Sequence, residues 1–167
     1  DMIINNAGVA LSETVERMSY EDMEWIVNIN FWGVVYGTKS FLPLLKERPE
    51  SAIVNVSSIF GIIALPTQAA YNATKFAVRG FTESLRQELK DTNVFVTTVH
   101  PGGIKTNIVR NGRMKTSMTG ENQTLEQQAK HFEKIARTTP AQAADTILEG
   151  VKSGKRRILI GSDARLM

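Results

Sequence analysis

Short apolar stretches alternate along this chain with longer segments of helical periodicity. Four stretches, at residues 2–4, 52–56, 94–99 and 158–160, are continuously apolar rather than alternating, which is typical of parallel strands buried on both faces. Strand-length and helix-length segments that follow one another in this order indicate an α/β fold, in which helices pack against a parallel sheet.

Polar residues at the ends of the helical segments predict where the helices begin and end. The first helix is predicted to begin at Ser19, with Asp22 in the position of a capping-box partner, and to continue to Lys46. The second is predicted over residues 70–90. A third, shorter pattern spans residues 125–135.

The last helix has the clearest boundaries. Thr139 is a predicted N-cap, Pro140 stands at the first helical position, Gln142 completes a capping box, and Gly154 is placed to end the helix. The apolar positions expected to face the core are Met23, Ile26, Val27 and Phe31 on the first helix, Phe76, Phe81, Leu85 and Leu89 on the second, Leu125, Ala129, Phe132 and Ile135 on the third, and Ala144, Ile147, Leu148 and Val151 on the last.

Composition narrows the class of protein. The 167 residues are 42% hydrophobic and 22% charged, which suits one globular domain and argues against a disordered or fibrous chain. Cysteine is absent, which excludes disulfide scaffolds and thiolate metal sites, so we expect no metal site and a cytoplasmic protein. The sequence predicts neither a membrane span nor a signal peptide, and a net charge of +3 is too small to indicate a nucleic-acid partner.

The segment at residues 103–123 has no clear periodicity and is predicted to be a long loop. No acidic residue occurs between positions 92 and 120, while Lys105, Arg110, Arg113 and Lys115 are basic. A solvated lid is the favoured interpretation. The alternative is that these charges attract an anionic substrate or a phosphate-bearing cofactor.

Small and polar residues follow three of the predicted strands, at residues 5–8, 57–58 and 100–103. Ligands of open parallel sheets bind in the crevice beyond the carboxyl ends of the strands, so these segments are the candidate binding site. Ordinary turn chemistry explains each segment alone about equally well. His100 has no recognisable ligand partners and is interpreted as structural.

Tyr71 and Lys75 form the candidate chemical pair, because residues four apart share one face of a helix. A lysine ammonium beside a phenol favours the phenolate and is expected to lower the pKa of the tyrosine, which then serves as a general acid or base. The pair alone is more often a solvated helix face. Ser58, at the end of a buried strand 13 residues earlier, could place its hydroxyl on the same substrate oxygen.

These motifs together resemble the short-chain dehydrogenases/reductases. Residues 5–8, Asn-Asn-Ala-Gly, resemble the motif that closes the family's fourth strand, and residues 101–106 resemble the segment that grips the nicotinamide after its sixth strand. Asn30, Ser58, Tyr71 and Lys75 match the family's catalytic residues at intervals of 28, 13 and 4. The resemblance covers essentially the whole chain.

The resemblance implies an NAD(P)-dependent oxidoreductase that interconverts a secondary alcohol and a ketone or aldehyde. Tyr71 is then the general acid/base, Lys75 lowers its pKa and binds the nicotinamide ribose, Ser58 holds the substrate oxygen with Tyr71, and Asn30 anchors a water at a local helix kink. The residues implied to contact the cofactor, besides Tyr71 and Lys75, are Asn6, Ala7, Gly8, Val56, Pro101, Gly102, Gly103, Ile104 and Thr106. Relatives commonly form dimers or tetramers, so we expect a homodimer or homotetramer.

The chain also departs from the family pattern. It lacks the family's glycine-rich turn and the strands before the fourth, and it stops just after the seventh strand. We therefore expect a partial sequence, residues 1–167 being a single domain that carries the fourth to seventh strands of a doubly wound, Rossmann-type sheet. The residue that selects NAD or NADP lies outside it, so the choice stays open. A catalytically inactive relative that acts as a scaffold or binds a nucleotide is the alternative function.

Overall fold

The computed structural model describes residues 1–117 and 123–165. In chain order the elements are β1 (Met2–Asn5), β2 (Leu11–Ser12), α1 (Tyr20–Val27), a π-helical turn (Asn28–Trp32), α2 (Gly33–Lys46), β3 (Ser51–Val56), a 3₁₀ turn (Ile59–Gly61), α3 (Ala69–Glu88), β4 (Val94–Pro101), β5 (Arg113–Met114), α4 (Leu125–Ile135), α5 (Pro140–Lys152), β6 (Arg157–Ile160) and α6 (Ser162–Arg165).

The four predicted strands form one parallel sheet with the order β1-β3-β4-β6. Ile53 and Val54 at its centre are fully buried, and full burial of each such side chain stabilises the fold by about 1.5–3 kcal/mol. Successive side chains of a strand point to opposite faces, so these two residues belong to different core clusters. One cluster lies between the sheet and α2 and α3 and the other between the sheet and α5, which confirms the predicted α/β architecture.

The first strand is less buried than its apolar sequence predicts. Met2 and Ile4 are each 41% exposed, because β1 pairs with β3 on one side and with no other strand among the described residues. A strand edge of this kind presents unpaired backbone groups to its surroundings.

The capping predictions are correct at both ends of the chain, with one difference. The Ser19 hydroxyl accepts a hydrogen bond from the Asp22 N–H at 3.1 Å, and Thr139 and Gln142 form the predicted reciprocal box. The Asp22 carboxylate, however, does not complete a box, because it is paired with basic side chains of a distant segment. Gly154 has a φ of +65° just beyond α5, a conformation that glycine adopts without strain.

Several side chains predicted to face the core are exposed instead. Phe76 is 40% exposed, and on α5 the predicted Ala144 is exposed while Ala143 is buried. The contact face of α5 contains Ala143, Ile147 and Val151, with Gly150 so close to Ile158 that a Cβ there would lie 2.5 Å from its Cδ1. Three further predicted core positions are exposed on their helices, namely Leu125, Ile135 and Leu148.

The predicted loop at residues 103–123 contains a short strand that its sequence does not reveal. β5 pairs in parallel with β2, so that Leu11 lies opposite Arg113 and Ser12 opposite Met114. Residues 118–122 of this loop lie outside the described residues. The pairing holds the middle of the segment against the residues that follow β1.

Within the described ranges, no helix has both the length and the apolar character needed to cross a membrane. The same residues contain no cluster of three or more His, Asp or Glu side chains arranged to hold a metal ion.

Candidate active site

The candidate site lies at the carboxyl ends of β1, β3 and β4, where the parallel strands finish at one edge of the sheet. β1 ends at Asn5, β3 at Val56 and β4 at Pro101, so the segments 6–8, 57–58 and 102–106 all begin there. Helix α3 begins beside them and contacts the 3₁₀ turn that follows Ser58. The structure thus brings the predicted segments together.

Tyr71 and Lys75 lie on the first two turns of α3 and face inward. Tyr71 is 9% exposed and Lys75 is 3% exposed. The Lys75 Nζ lies 5.6 Å from the centroid of the Tyr71 ring and donates a hydrogen bond to the Val56 carbonyl at 3.2 Å. Lys75 therefore connects α3 to the end of β3.

Ser58 meets the Tyr71 side chain from the end of β3. The two side chains interact, and the Ser58 hydroxyl acts to lower the pKa of Tyr71; the Ser58 Oγ also accepts a hydrogen bond from the Phe60 N–H at 3.1 Å. The second contact makes Ser58 the N-cap of the 3₁₀ turn, with an extended backbone. This capping role fixes the direction of the serine side chain relative to Tyr71.

The pKa of Tyr71 differs from the sequence prediction. Burial raises its pKa above the ordinary value of 10.0, and the interaction with Ser58 opposes this rise only in part. Burial is the largest influence on this group, which explains why the lowering predicted from the Lys75 ammonium is not observed. Burial also lowers the pKa of Lys75 from 10.5 to about 8.

Asn30 is fully buried in the π-helical turn between α1 and α2. Its Oδ1 accepts a hydrogen bond from the Val9 N–H at 2.8 Å, and its Nδ2 donates to the Val9 carbonyl at 3.0 Å and to the Thr74 Oγ1 at 3.2 Å. The helix is therefore locally irregular, as expected, and the side chain joins the residues after β1 to α3.

We expect Asn30→Ala to lower the free energy of unfolding by about 2–4 kcal/mol, because it leaves both backbone groups of Val9 without their partner. Asn28→Ala is the matched control, since Asn28 lies in the same turn but is exposed, and it should change the value by less than about 0.5 kcal/mol. Urea unfolding of the full-length protein measures both. Equal effects of the two variants would contradict the role of the Asn30 side chain.

Gly8 lets the backbone that follows β1 lie close to the side chains of Lys75 and Asn30. A Cβ at this position would lie 3.3 Å from the Lys75 Nζ and 3.4 Å from the Asn30 Oδ1. The neighbouring Asn6 and Ala7 are exposed at the end of β1. Asn6, Ala7 and Gly8 thus form an open edge of the site, and the Lys75 ammonium lies close to Gly8.

The segment at residues 101–106 is held from the β6 side. The Gly102 N–H donates to the Ile160 carbonyl at 2.9 Å, and the Gly103 N–H donates to the Asp163 carboxylate at 2.7 Å. Ile104 forms a bridge with Thr138, while Thr106 is exposed. Hydrogen bonds to Ile160 and Asp163 therefore hold the predicted cofactor segment, which begins at the end of β4, against the end of β6.

Two contributors to the site have roles that the sequence analysis did not assign. Ser57 donates a hydrogen bond from its Oγ to the Lys75 carbonyl at 2.8 Å, and Gly61 leaves room for this contact, since a Cβ there would lie 2.7 Å from the same carbonyl. Asp163 is the other. Ser57 stands beside Ser58 at a strand end and was a recognisable candidate, whereas Asp163 has no sequence signal.

The basic loop residues are largely neutralised by acidic partners. Arg113 and Lys115 both pair with Asp22, which is 2% exposed, and Arg110 pairs with Glu126 and Glu133 on α4. Lys105 is exposed. Three of the four basic residues are therefore paired with carboxylates, which argues against the alternative that this loop attracts an anion.

His100 is fully buried, with its Nδ1 2.9 Å from the Ser58 carbonyl. Burial lowers the pKa of this imidazole below 6.5. The contact agrees with the predicted structural role.

Known proteins are similar to this chain in both sequence and fold. A family model described as short chain dehydrogenase matches residues 1–117. The Mycobacterium tuberculosis protein SadH, named as an oxidoreductase, is 48% identical over 166 residues, which are 98% of this chain and 58% of that protein. This chain thus spans less than two thirds of the length of that relative.

Solved structures also match nearly the whole length of this chain. A short-chain dehydrogenase/reductase from Burkholderia phymatum in complex with NAD has a TM-score of 0.83 at 24% identity, covering 95% of this chain and 60% of that one. A short-chain dehydrogenase from Burkholderia cenocepacia in complex with NADP has a TM-score of 0.78 at 28% identity, covering 99% and 61%. The family match over residues 1–117, the similarity to SadH and the parallel sheet with Tyr71 and Lys75 at its edge lead to one conclusion: the chain belongs to the short-chain dehydrogenases.

Proposed function

We propose that the full-length protein interconverts a secondary alcohol and a ketone or aldehyde with NAD or NADP as cofactor. Tyr71 exchanges a proton with the substrate oxygen, Ser58 holds that oxygen, Lys75 acts on Tyr71 and the cofactor, and Asn30 fixes the residues after β1. The observation that carries the proposal is the contact of Tyr71 with both Ser58 and Lys75 at the carboxyl edge of the sheet.

The burial of Tyr71 supports its role as a proton donor. A raised pKa keeps the phenol protonated at neutral pH, and this is the form that donates to a carbonyl oxygen during reduction. The Ser58 hydroxyl stabilises the negative charge that develops on the same oxygen. For oxidation, Tyr71 accepts the proton from the alcohol, and the nearby Lys75 ammonium stabilises the phenolate that results.

The residues present fit a nicotinamide dinucleotide. Only one acceptor for the three Lys75 Nζ hydrogens, the Val56 carbonyl, is recorded among the described residues, so the ammonium can also donate to ribose hydroxyls. Gly8 leaves the space above it open. When bound, the dinucleotide supplies or accepts a hydride. The solved structures that hold NAD or NADP support the choice of cofactor. The residues proposed to contact it are Asn6, Ala7, Gly8, Val56, Tyr71, Lys75, Pro101, Gly102, Gly103, Ile104 and Thr106.

Isotope transfer tests the proposal. The full-length protein is incubated with a panel of ketones and with NADH or NADPH that carries deuterium at the transferable position of the nicotinamide. We expect deuterium at the carbinol carbon of the alcohol product, detected by mass spectrometry. A protein that binds the dinucleotide but transfers no deuterium to any ketone or aldehyde would instead support the inactive-scaffold alternative.

A nucleic-acid-binding module is the weaker alternative. It requires a face of free basic residues with interleaved aromatic side chains, whereas Arg110, Arg113 and Lys115 are paired with carboxylates. A filter-binding measurement with a salt titration distinguishes this function from the enzyme.

We also propose a homodimer or homotetramer that assembles through α2 and α3. Trp32 and Tyr36 stack with ring centroids 5.6 Å apart although they are 41% and 63% exposed, and Phe76 on α3 is 40% exposed. Exposed aromatic side chains on neighbouring helices are typical of an interface between subunits.

Light scattering on the full-length protein at micromolar concentration should therefore show more than one subunit. We expect Tyr36→Lys to shift the protein toward monomer, because it places a charge among the aromatic side chains. Tyr20→Lys is the matched control, since Tyr20 is 91% exposed on α1 and its replacement should leave the mass unchanged. A monomeric wild type would refute the proposed assembly.

A further inference from the structure

The short parallel pair of β2 and β5 fastens the segment at residues 113–116 to the residues that follow β1. The Arg113 N–H donates to the Ala10 carbonyl at 2.9 Å, and the N–H groups of Lys115 and Thr116 both donate to the Ser12 carbonyl, at 2.9 and 3.0 Å. Three backbone hydrogen bonds therefore fix a segment that lies only seven residues after the cofactor segment 101–106.

A buried carboxylate strengthens this attachment. Asp22, 2% exposed, pairs with Arg113 at 2.9 Å and with Lys115, and the Arg113 guanidinium lies 4.2 Å from the centre of the Trp25 ring. The two cations beside it hold the pKa of Asp22 at about 2, below its ordinary 3.8. An ion this deeply buried is tolerated only when it is paired, so both contacts are built into the fold.

A second buried carboxylate contacts the same segment. Glu13 is 4% exposed and accepts hydrogen bonds from the Thr116 hydroxyl and from the Thr14 N–H. We call the set formed by Ser12, Glu13 and Asp22 with Arg113, Lys115 and Thr116 the clasp.

Ser12 extends the clasp to the beginning of α3. It is fully buried, donates from its Oγ to the Thr116 carbonyl, and lies 3.1 Å from the Thr67 hydroxyl. The Glu13 N–H donates to the Thr67 carbonyl at 2.8 Å. Thr67 has a φ of +63°, a costly conformation for a β-branched residue, and residues held in this way often mark functional sites.

Strand β2 connects the clasp to the proposed active site. Leu11, the β2 residue opposite Arg113, packs in one cluster with Ile26, Ala70 and Tyr71. The strand that holds residues 113–116 therefore packs against the tyrosine that would contact the substrate oxygen.

We propose that residues 113–116 form a preordered wall of the substrate pocket, that the clasp holds this wall in place, and that the wall selects an uncharged substrate. The clasp contains two carboxylates, Glu13 and Asp22, and two cations, Arg113 and Lys115, so its net charge is zero and it attracts an anion only weakly. The inference rests on the proposed oxidoreductase function and adds the substrate class and the positioning residues Ser12, Glu13 and Asp22. None of the clasp residues is among those proposed to contact the dinucleotide, so affinity for the dinucleotide should be independent of the clasp.

Steady-state kinetics of the full-length protein with hexyl methyl ketone and with its ω-carboxylate analogue test this inference. Wild type should prefer the neutral ketone. Asp22→Asn should raise the KM for the neutral ketone about tenfold, the usual effect of losing one charge-assisted hydrogen bond, and shift the preference toward the carboxylate by freeing Arg113 and Lys115. We expect kcat and the Kd of the dinucleotide to change by less than about twofold.

Two further variants complete the design. Lys115→Gln alters the clasp at a half-exposed residue, so it tests the inference even if Asp22→Asn fails to fold. Glu133→Gln is the matched control, because it removes an exposed partner of Arg110 in the same region and should leave both KM values unchanged. Hydrogen exchange of the Lys115 and Thr116 amides should quicken in the clasp variants alone.

The outcomes are distinguishable. Faster exchange with an unchanged KM would show that the segment is clasped but does not line the pocket, and would overturn the inference. A parallel loss of kcat and dinucleotide affinity would also overturn it, since it would indicate a merely structural role. A wild type that transfers no deuterium to any ketone or aldehyde would contradict the proposed function itself.

Discussion

Replacing Tyr71 with Phe should abolish most turnover and leave dinucleotide binding nearly intact. The ring supplies the packing against Leu11 and Phe60 and the face under the Lys75 ammonium, and all three contacts persist in the variant. Only the hydroxyl, with its interaction with Ser58, is lost. General acid/base groups contribute about 10²–10⁴-fold to rate, and we expect a loss of that size in kcat.

The measurement is kcat with the best ketone of the panel, alongside titration of the dinucleotide followed by calorimetry. Tyr20→Phe, which removes an exposed hydroxyl from α1, is the control and should behave as wild type. If Tyr71→Phe retained more than about a tenth of wild-type turnover, another group would have to be the proton donor.

Lys75→Met should weaken dinucleotide binding and move the basic limb of the pH–rate profile to higher pH. Both effects follow from one ammonium, which is placed to donate to ribose hydroxyls and to stabilise the Tyr71 phenolate. The pKa of about 8 adds a pH signature. As pH rises through 8, wild type loses the charge on Lys75, so its dinucleotide affinity should fall there, while the affinity of the variant should stay flat.

The same variant should be more stable than wild type at neutral pH. Lys75 titrates at about 8 in the fold and at about 10.5 when unfolded, so its charge destabilises the native state by about 3 kcal/mol below pH 8. This penalty fades as pH rises from 8 to 10.5. Loss of the donor to the Val56 carbonyl offsets about 1–2 kcal/mol of the gain. Urea unfolding at pH 7 should show a net gain of about 1–2 kcal/mol, and a large loss would mean that the ammonium is better paired than its contacts indicate.

Much of the candidate site could be predicted because it depends on local geometry. Helical spacing alone places Tyr71 and Lys75 on one face, and the end of an apolar strand places Ser58 at the edge of the sheet. The order of apolar stretches and helices likewise predicts the parallel sheet, since few arrangements bury such strands on both faces.

The rest depends on contacts between residues far apart in sequence. Asp22 and Arg113 are separated by 91 positions, and Gly103 and Asp163 by 60. No local pattern pairs such residues, because their meeting depends on how the helices and loops pack. The same reason explains the pKa of Tyr71, which is governed by burial more than by its lysine neighbour, and the exposure of Phe76.

The π-helical turn at Asn28–Trp32 has a consequence for how this chain can change in length. Such a turn holds one residue more than a regular α-helical turn, so it accommodates an extra residue while α1 and α2 on either side keep the faces that they pack against the core. An insertion or deletion in α1 between Ile26 and the turn would instead rotate the first part of this helix by about 100°, so that Ile26 would leave the cluster it shares with Tyr71 and Asp22 would turn away from Arg113 and Lys115. Deleting one residue of the turn itself would restore a regular α-helix and leave Asp22 and Ile26 on their faces, but it would displace Asn30 from Val9.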